Sequence, residues 1–237
     1  MAQPIGILCN AIYQRCSSMI NRENQAPSTF NPHNTIVVFD IHGVLFKHDY
    51  MAMFKAMMRS GYPWQFARHL CKPTFLKDLF KLMHKGSVAE EYLVGLVSRY
   101  PDLKDYVPLG INTANLQIPN KSILQLVHEL KSHGYELHIL SNIGGEIFED
   151  LRSKYPAIFE NFTAIKVACA QEQYLSKPKV SAYVAYLKEF NSNDKQIIFI
   201  DDKAKNIRMA RRLGMTSIFF CCPHHVKERM KNLGVVQ

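Results

Sequence analysis

At 237 residues, with 47% hydrophobic and 21% charged residues, the chain has room for one large domain or for a core domain carrying a smaller insert. No apolar run approaches the ~20 residues that a bilayer span requires, and the short apolar patch Ile5 to Cys9 lacks the preceding basic residue and the cleavage site of a secretory signal. The formal charge of +9 includes a segment from Lys47 to Lys85 with eight Lys/Arg against two acids. It carries no zinc-finger spacing, aromatic RNA-binding motif or dense basic run, so no nucleic-acid partner is expected. An anionic small substrate or a solvated face accounts for the excess equally well.

The six cysteines (Cys9, Cys16, Cys71, Cys169, Cys221, Cys222) are scattered without a pairing pattern, which fits reduced thiols and a cytoplasmic setting. Nothing in the sequence specifies an oligomeric state or gives residues 1–33 a role.

Residues 1–33 read as an extension or linker, with a short helix over 5–20 and then the polar stretch Asn21 to Thr29. Thr35-Ile36-Val37-Val38-Phe39 is a continuous apolar or β-branched run that enters Asp40, as expected of a strand buried on both faces of a parallel sheet. After Gly43 the spacing turns helical, with Met51, Phe54, Met57 and Met58 on one face and Phe75, Leu79 and Leu82 farther along. Pro63, Pro73, Gly86 and Pro101 cut this region into short helices, and no strand is expected between 46 and 115. So many helical residues exceed an ordinary crossover, which predicts an inserted helical cap with Met51, Met53, Met57, Met58, Trp64 and Phe66 as its core, or with part of that stripe lining a substrate pocket.

From Pro119 onward strand and helix alternate. Strands are predicted at Leu137–Leu140, Ala164–Ala168, Gln196–Ile200 and Thr216–Phe220, and helices at 123–133, 145–151, 180–190, 204–213 and 226–233. This rhythm predicts a doubly wound, five-stranded parallel α/β sheet, with a core of 34–45 plus 116–237 and a cap of 46–115. The pairs Cys221-Cys222 and His224-His225 are adjacent rather than spaced for zinc, and read as a strand end running into a helix start.

Asp40, Ser141, Lys177 and the pair Asp201-Asp202 all fall at or near carboxyl ends of these strands, where open α/β sheets carry their chemistry. Together they suit phosphoryl transfer. Asp40 can attack phosphorus as a nucleophile. Asp40, Asp201 and Asp202 offer hard oxygen ligands for Mg2+, which would hold nucleophile and phosphate together. Lys177 and Ser141 can bind phosphoryl oxygens, helped by backbone N–H groups of the following helix.

Val-Val-Phe-Asp40-Ile-His42-Gly-Val, Ile-Leu-Ser141-Asn142, Ser-Lys177-Pro and Ile-Phe-Ile-Asp201-Asp202-Lys-Ala-Lys-Asn206 resemble, in order, the four motifs of the haloacid dehalogenase-like superfamily, over about 34–45 and 119–234. The likeness is to members with a helical C1-type cap on a Rossmann-like core, such as small sugar-phosphate phosphatases and the amino-terminal phosphatase domain of epoxide hydrolases. It implies Asp40 as nucleophile and metal ligand, and Ser141, Asn142 and Lys177 as the phosphate-binding set. It further implies Asp202 as a direct metal ligand, Asp201 as a direct or water-mediated one, and Asn206 as an anchor for the helix. The expected activity is Mg2+-dependent hydrolysis of a small phosphorylated metabolite.

One position departs. Where the phosphatase pattern has an acid/base aspartate, this chain has His42, whose backbone carbonyl can still reach the metal. Three readings stay open for it: a substitute acid/base, a weakened activity in a binding or regulatory protein, or dehalogenase-type chemistry through an ester on Asp40.

Overall fold

The computed structural model describes residues 30–59, 68–69, 71–78, 97–106, 116–168, 175–191, 193 and 195–237. The short helix expected over 5–20, together with Trp64, Phe66, Leu79, Leu82, Cys9, Cys16 and Cys169, lies outside them.

The buried apolar run forms strand β1 (Thr35–Phe39). Two three-residue strands follow, β2 (Phe46–His48) and, far along the chain, β3 (Gln117–Pro119). Helix α1 (Tyr50–Arg59) leaves β2, and α2 (Lys121–Ser132) follows β3. The alternation then runs β4 (Glu136–Gly144), α3 (Gly145–Lys154), the single-turn α4 (Pro156–Phe159) and β5 (Ala164–Ala168). It continues with α5 (Val180–Phe190), β6 (Gln196–Asp201), α6 (Ala204–Arg212), β7 (Thr216–Phe219) and α7 (Pro223–Asn232). Pro223 stands at the start of α7 with Cys222 as its N-cap, so the Cys-Cys-Pro-His-His run is a strand-to-helix turn.

The main sheet has the order β5-β4-β1-β6-β7, and every pairing in it is parallel. Both faces of β1 are buried because its side chains alternate between two cores. Val37 and Phe39 pack with Ile123, Val127, Phe148 and Val226, whereas Ile36 and Val38 pack with Tyr183, Tyr186, Ile207 and Ala210. Helices α2, α3 and α7 thus cover one face, and α5 and α6 the other. Successive connections run outward on opposite sides of β1, so its carboxyl end lies at the topological switch point. The Asp40 N–H extends the ladder by donating to the Ile200 carbonyl at 3.0 Å.

Three expectations need correction. A strand does occur between 46 and 115: β2 pairs antiparallel with β3, joining the chain before and after the long insertion (Phe46 opposite Pro119, His48 opposite Gln117). Three-residue strands carry too little periodicity to stand out beside helical spacing. Strand β4 runs on past Leu140 through Ser141 and Asn142 to Gly144, with a register shift between Ser141 and Gly144. Met51 and Met58, expected in the core of the inserted region, are 66% and 51% exposed. Among the described residues of the insert beyond β2, Phe75 and Leu103 are buried, Phe75 with its ring against those of His69 and Tyr100.

Candidate active site

The loop after β1 is built around Gly43. Its N–H donates to the Phe46 carbonyl at 2.8 Å, and the Phe46 N–H returns a bond to Ile41 at 2.9 Å. Gly43 has φ +82°, and a Cβ there would press on the Asp202 carboxylate, 2.7 Å from its Cγ. The glycine is therefore required twice, for its backbone and for the approach of Asp202.

Asp40, buried at the end of β1, turns Oδ1 toward three donors. These are its neighbour Ile41 N–H at 2.8 Å, the Ser141 hydroxyl at 2.7 Å and the Lys177 ammonium at 3.2 Å. That leaves Oδ2 outside the set. Lys177 is itself fully enclosed. Its Nζ donates to the Leu140 carbonyl at 2.6 Å and to Asp201 Oδ2 at 2.7 Å, and lies 5.2 Å from the centre of the Phe199 ring. Asn142 fixes the lysine's backbone by a reciprocal pair: its Nδ2 donates to the Lys177 carbonyl and its Oδ1 accepts from the Lys177 N–H, both at 2.8 Å. Asn142 thus acts on the anion site by holding the chain that carries Lys177.

Asp201 is saturated by the protein. The Asn206 amide spans its two oxygens at 3.0 and 2.9 Å, the Lys203 N–H donates to Oδ1 at 2.8 Å, and Lys177 takes Oδ2. Asn206 thus ties the first turn of α6 to the strand end. Asp202 differs: its Oδ1 is buried with no hydrogen-bond partner. A buried orphan oxygen costs free energy unless something satisfies it.

The electrostatics follow from this arrangement. Burial works to raise the Asp40 carboxyl, but Lys177, Lys203 and the Ser141 hydrogen bond outweigh it and hold Asp40 below the usual carboxylate range. Burial opposes the charge on Lys177, yet Asp201 and Asp40 keep it firmly protonated. At Asp202, burial and then the fields of Asp40 and Asp201 outweigh Lys203 and Lys177 and push it up to about 6. Oxygens of Asp40, Asp201 and Asp202 converge to within 4.8 Å of one another. The three carboxylates outnumber the positive charges of Lys177 and Lys203 that act on them, and such a set of hard oxygens fits Mg2+. The orphaned Asp202 Oδ1 is the independent sign of a missing ligand.

His42 lies beside the cluster rather than in it. Its Nδ1 is 2.8 Å from Gln117 Oε1 on β3, and its ring stacks nearly parallel to that of His48, with centroids 5.8 Å apart. Burial, only partly offset by Asp40, pulls its pKa down to about 4. Sequence reasoning missed three of these contributors: Gln117, the stacked ring of His48 and the Lys203 backbone. Gln117 and His48 belong to no motif, and Lys203, though inside the fourth, contributes through its backbone N–H rather than its side chain.

Gly43→Ala is expected to cost about 1–3 kcal/mol of stability through its left-handed backbone and the displaced carboxylate, and to weaken Mg2+ binding by more than that global loss implies. Denaturant unfolding paired with Mg2+ titration calorimetry checks both parts.

The haloacid dehalogenase-like hydrolase family model matches residues 71–220, more than half of the chain; Asp40 lies outside the matched span. Among curated proteins, the sesquiterpene phosphatase astK of Aspergillus oryzae is 27% identical over 100 residues, 42% of this chain and 50% of that protein. The drimenol cyclase drtB of Aspergillus calidoustus is 24% identical over 175 residues, 68% of this chain and 32% of that one. The chain thus spans about half of one relative and a third of the other. Among solved structures, the L-2-haloacid dehalogenase of Xanthobacter autotrophicus with chloropropionic acid covalently bound has a TM-score of 0.56 at 14% identity, covering 85% of this chain and 84% of that one. A haloacid dehalogenase family enzyme of Bacteroides thetaiotaomicron, in complex with magnesium and inorganic phosphate, has a TM-score of 0.54 at 18% identity, covering 78% and 93%. At such identities the two structures speak for the fold. The family match carries the classification: this chain belongs to the haloacid dehalogenase-like hydrolases.

Proposed function

We propose that this hydrolase is a Mg2+-dependent phosphatase that cleaves a small phosphorylated metabolite through an aspartyl-phosphate on Asp40. The observation that carries the reading is the cluster itself, three carboxylates around one buried lysine with an orphaned oxygen on Asp202. A carbon–halogen hydrolase working through an ester on Asp40 gains nothing from the Asp202 carboxylate. The phosphatase and magnesium–phosphate relatives point the same way.

In this reading Asp202, Asp40 and the His42 backbone carbonyl would hold Mg2+, with Asp201, already bonded by Lys177 and Asn206, beside them. Bound there, the cation supplies charge neutralisation between phosphate and nucleophile. Asp40 Oδ2, the oxygen free of the donor set, attacks phosphorus while the bond to the leaving oxygen breaks. The Ser141 hydroxyl and the Lys177 ammonium, poised on Oδ1, bind phosphoryl oxygens. Water then attacks the acyl-phosphate at phosphorus, releasing inorganic phosphate and restoring Asp40. The region 46–115 acts as a cap that closes over the substrate, excludes water and selects it. A panel of phosphomonoesters with and without Mg2+, on wild type and Asp40→Asn, tests the proposal; turnover indifferent to Mg2+ would sink it.

His42 supports a second reading. Held neutral at physiological pH, it is a poor proton donor to a leaving alkoxide, as expected of a protein that binds phosphate without turning it over. His42→Asp separates the two. A rise in turnover marks His42 as a lesion, and a sharp fall marks the imidazole as used.

Asp202 also predicts a pH dependence for the metal-free protein. Its folded pKa of about 6 lies above its ordinary value of 3.8. The folded state therefore holds the extra proton between these values, and this contribution to stability is lost as pH rises through about 6. With Mg2+ added, the trend reverses, because the cation binds the ionised carboxylate. Thermal unfolding from pH 4.5 to 7.5 with EDTA or with Mg2+ checks the crossing of the two curves.

A further inference from the structure

We infer that Gln117 is a positioning residue for the hydrolase reaction, fixing the ring orientation and the Nδ1–H tautomer of His42. The inference rests on His42 being part of the reaction site, but not on which substrate is hydrolysed.

Gln117 is 5% exposed, and its amide meets the imidazole of a residue 75 positions earlier in the chain. Its backbone is held from two directions. It pairs opposite His48 in the β2–β3 ladder, and its carbonyl accepts from the Tyr155 hydroxyl at 3.4 Å. The atom turned to His42 is the amide oxygen, which has lone pairs and no proton. Nδ1 must then be the protonated ring nitrogen, leaving Nε2 with the lone pair. Against one ring face lies the near-parallel ring of His48, tilted by only 10°.

The backbone beneath is equally constrained. His42 forms a bridge with Phe46, and Phe46 pairs with Pro119 two residues beyond Gln117. The strand that ends the long insertion is thus bonded to the loop carrying His42 through both main chain and side chain. Since Gln117 is the first residue of β3, the path of the insertion back into the core sets the histidine's geometry. With Nδ1–H engaged by Gln117, Nε2 is the ring nitrogen left with a lone pair, and the opposite tautomer would leave the Gln117 oxygen facing a nitrogen with no proton to donate.

The test is 15N NMR of the imidazole groups in the full chain, with His42 assigned through His42→Asn, alongside kinetics on p-nitrophenyl phosphate with Mg2+. Wild type is expected to show His42 protonated at Nδ1 and bare at Nε2. Gln117→Leu is expected to lose that preference and to lower kcat by at least about tenfold with KM little changed. Gln117→Glu, which keeps an acceptor, is expected to retain the tautomer and most of kcat with a displaced pH profile. A wild-type ring protonated at Nε2, as a reversed amide would produce, overturns the inference. So does a Gln117→Leu protein whose tautomer and kcat match wild type. Should Gln117→Leu not fold, the wild-type spectrum and Gln117→Glu decide. The NMR arm needs no turnover, so an inactive wild type with the expected tautomer would count against the phosphatase reading and not against this one.

Discussion

Asp40→Asn is expected to abolish turnover, by at least about 1,000-fold in kcat, while leaving the fold intact at a modest cost in stability. The amide is nearly isosteric with the carboxylate, so β1, the Ser141 contact and the packing beneath persist. It lacks the anionic oxygen that attacks phosphorus, so no acyl-phosphate forms. Its effect on stability is a modest loss in the metal-free protein, because Lys177, Lys203 and the Ser141 hydroxyl favour the ionised Asp40, and relief of the repulsion that pushes Asp202 up offsets this only in part. Lys177 keeps Asp201 as its counter-charge. Steady-state kinetics with Mg2+, mass spectrometry of acid-quenched wild type for the phosphorylated aspartate, and thermal unfolding without metal measure the three parts. An Asp40→Asn protein that still turns over, with wild-type pH dependence, would remove Asp40 from the chemistry.

The sequence was most legible where one physical cause acts alone. A strand buried on both faces must be apolar along its whole length, so Thr35–Phe39 and Gln196–Ile200 announced themselves, and a carboxylate at the end of each was conspicuous against such a background. Asp40, Ser141, Lys177, Asp201 and Asp202 do converge, because strands adjacent in one parallel sheet end at one rim. The chain could not show how the carboxylates divide their work. Saturation of Asp201 and the orphaned oxygen of Asp202 depend on where Asn206, Lys203 and Gly43 lie in space. Nor could it show β2 and β3, since three residues are below the length at which a period of two is distinguishable. Gln117 escaped for the same reason, because its partner is fixed by a tertiary pairing of two short strands. Met51 and Met58 misled by hydrophobicity alone: helical spacing marks a common face but does not say what covers it.

Lys177→Met is the second large effect, and it combines activity with stability. The thioether fills much of the aliphatic volume but removes the ammonium that, among the described residues, contacts both Asp40 and Asp201. In metal-free protein at neutral pH, the carboxylates are left facing one another inside the sheet rim, and the Leu140 carbonyl loses the donor 2.6 Å away. Stripping one partner from a buried ionic group costs about 3–5 kcal/mol. Because the loss comes from uncompensated negative charge, it should shrink as pH falls and carboxylates protonate, and again when Mg2+ supplies positive charge. Catalysis does not recover with the fold. Phosphoryl oxygens still lack their fixed donor, and kcat is expected to stay roughly 100- to 1,000-fold below wild type in saturating Mg2+. Urea unfolding at pH 5 and pH 7.5, with EDTA or Mg2+, gives the four stabilities, and kinetics in excess Mg2+ gives the residual rate. A destabilisation equal under all four conditions would mean that Lys177 holds the core by packing rather than by charge. Stability restored by Mg2+ without activity would separate the lysine's two roles, counter-ion to the carboxylates and clamp on the phosphate.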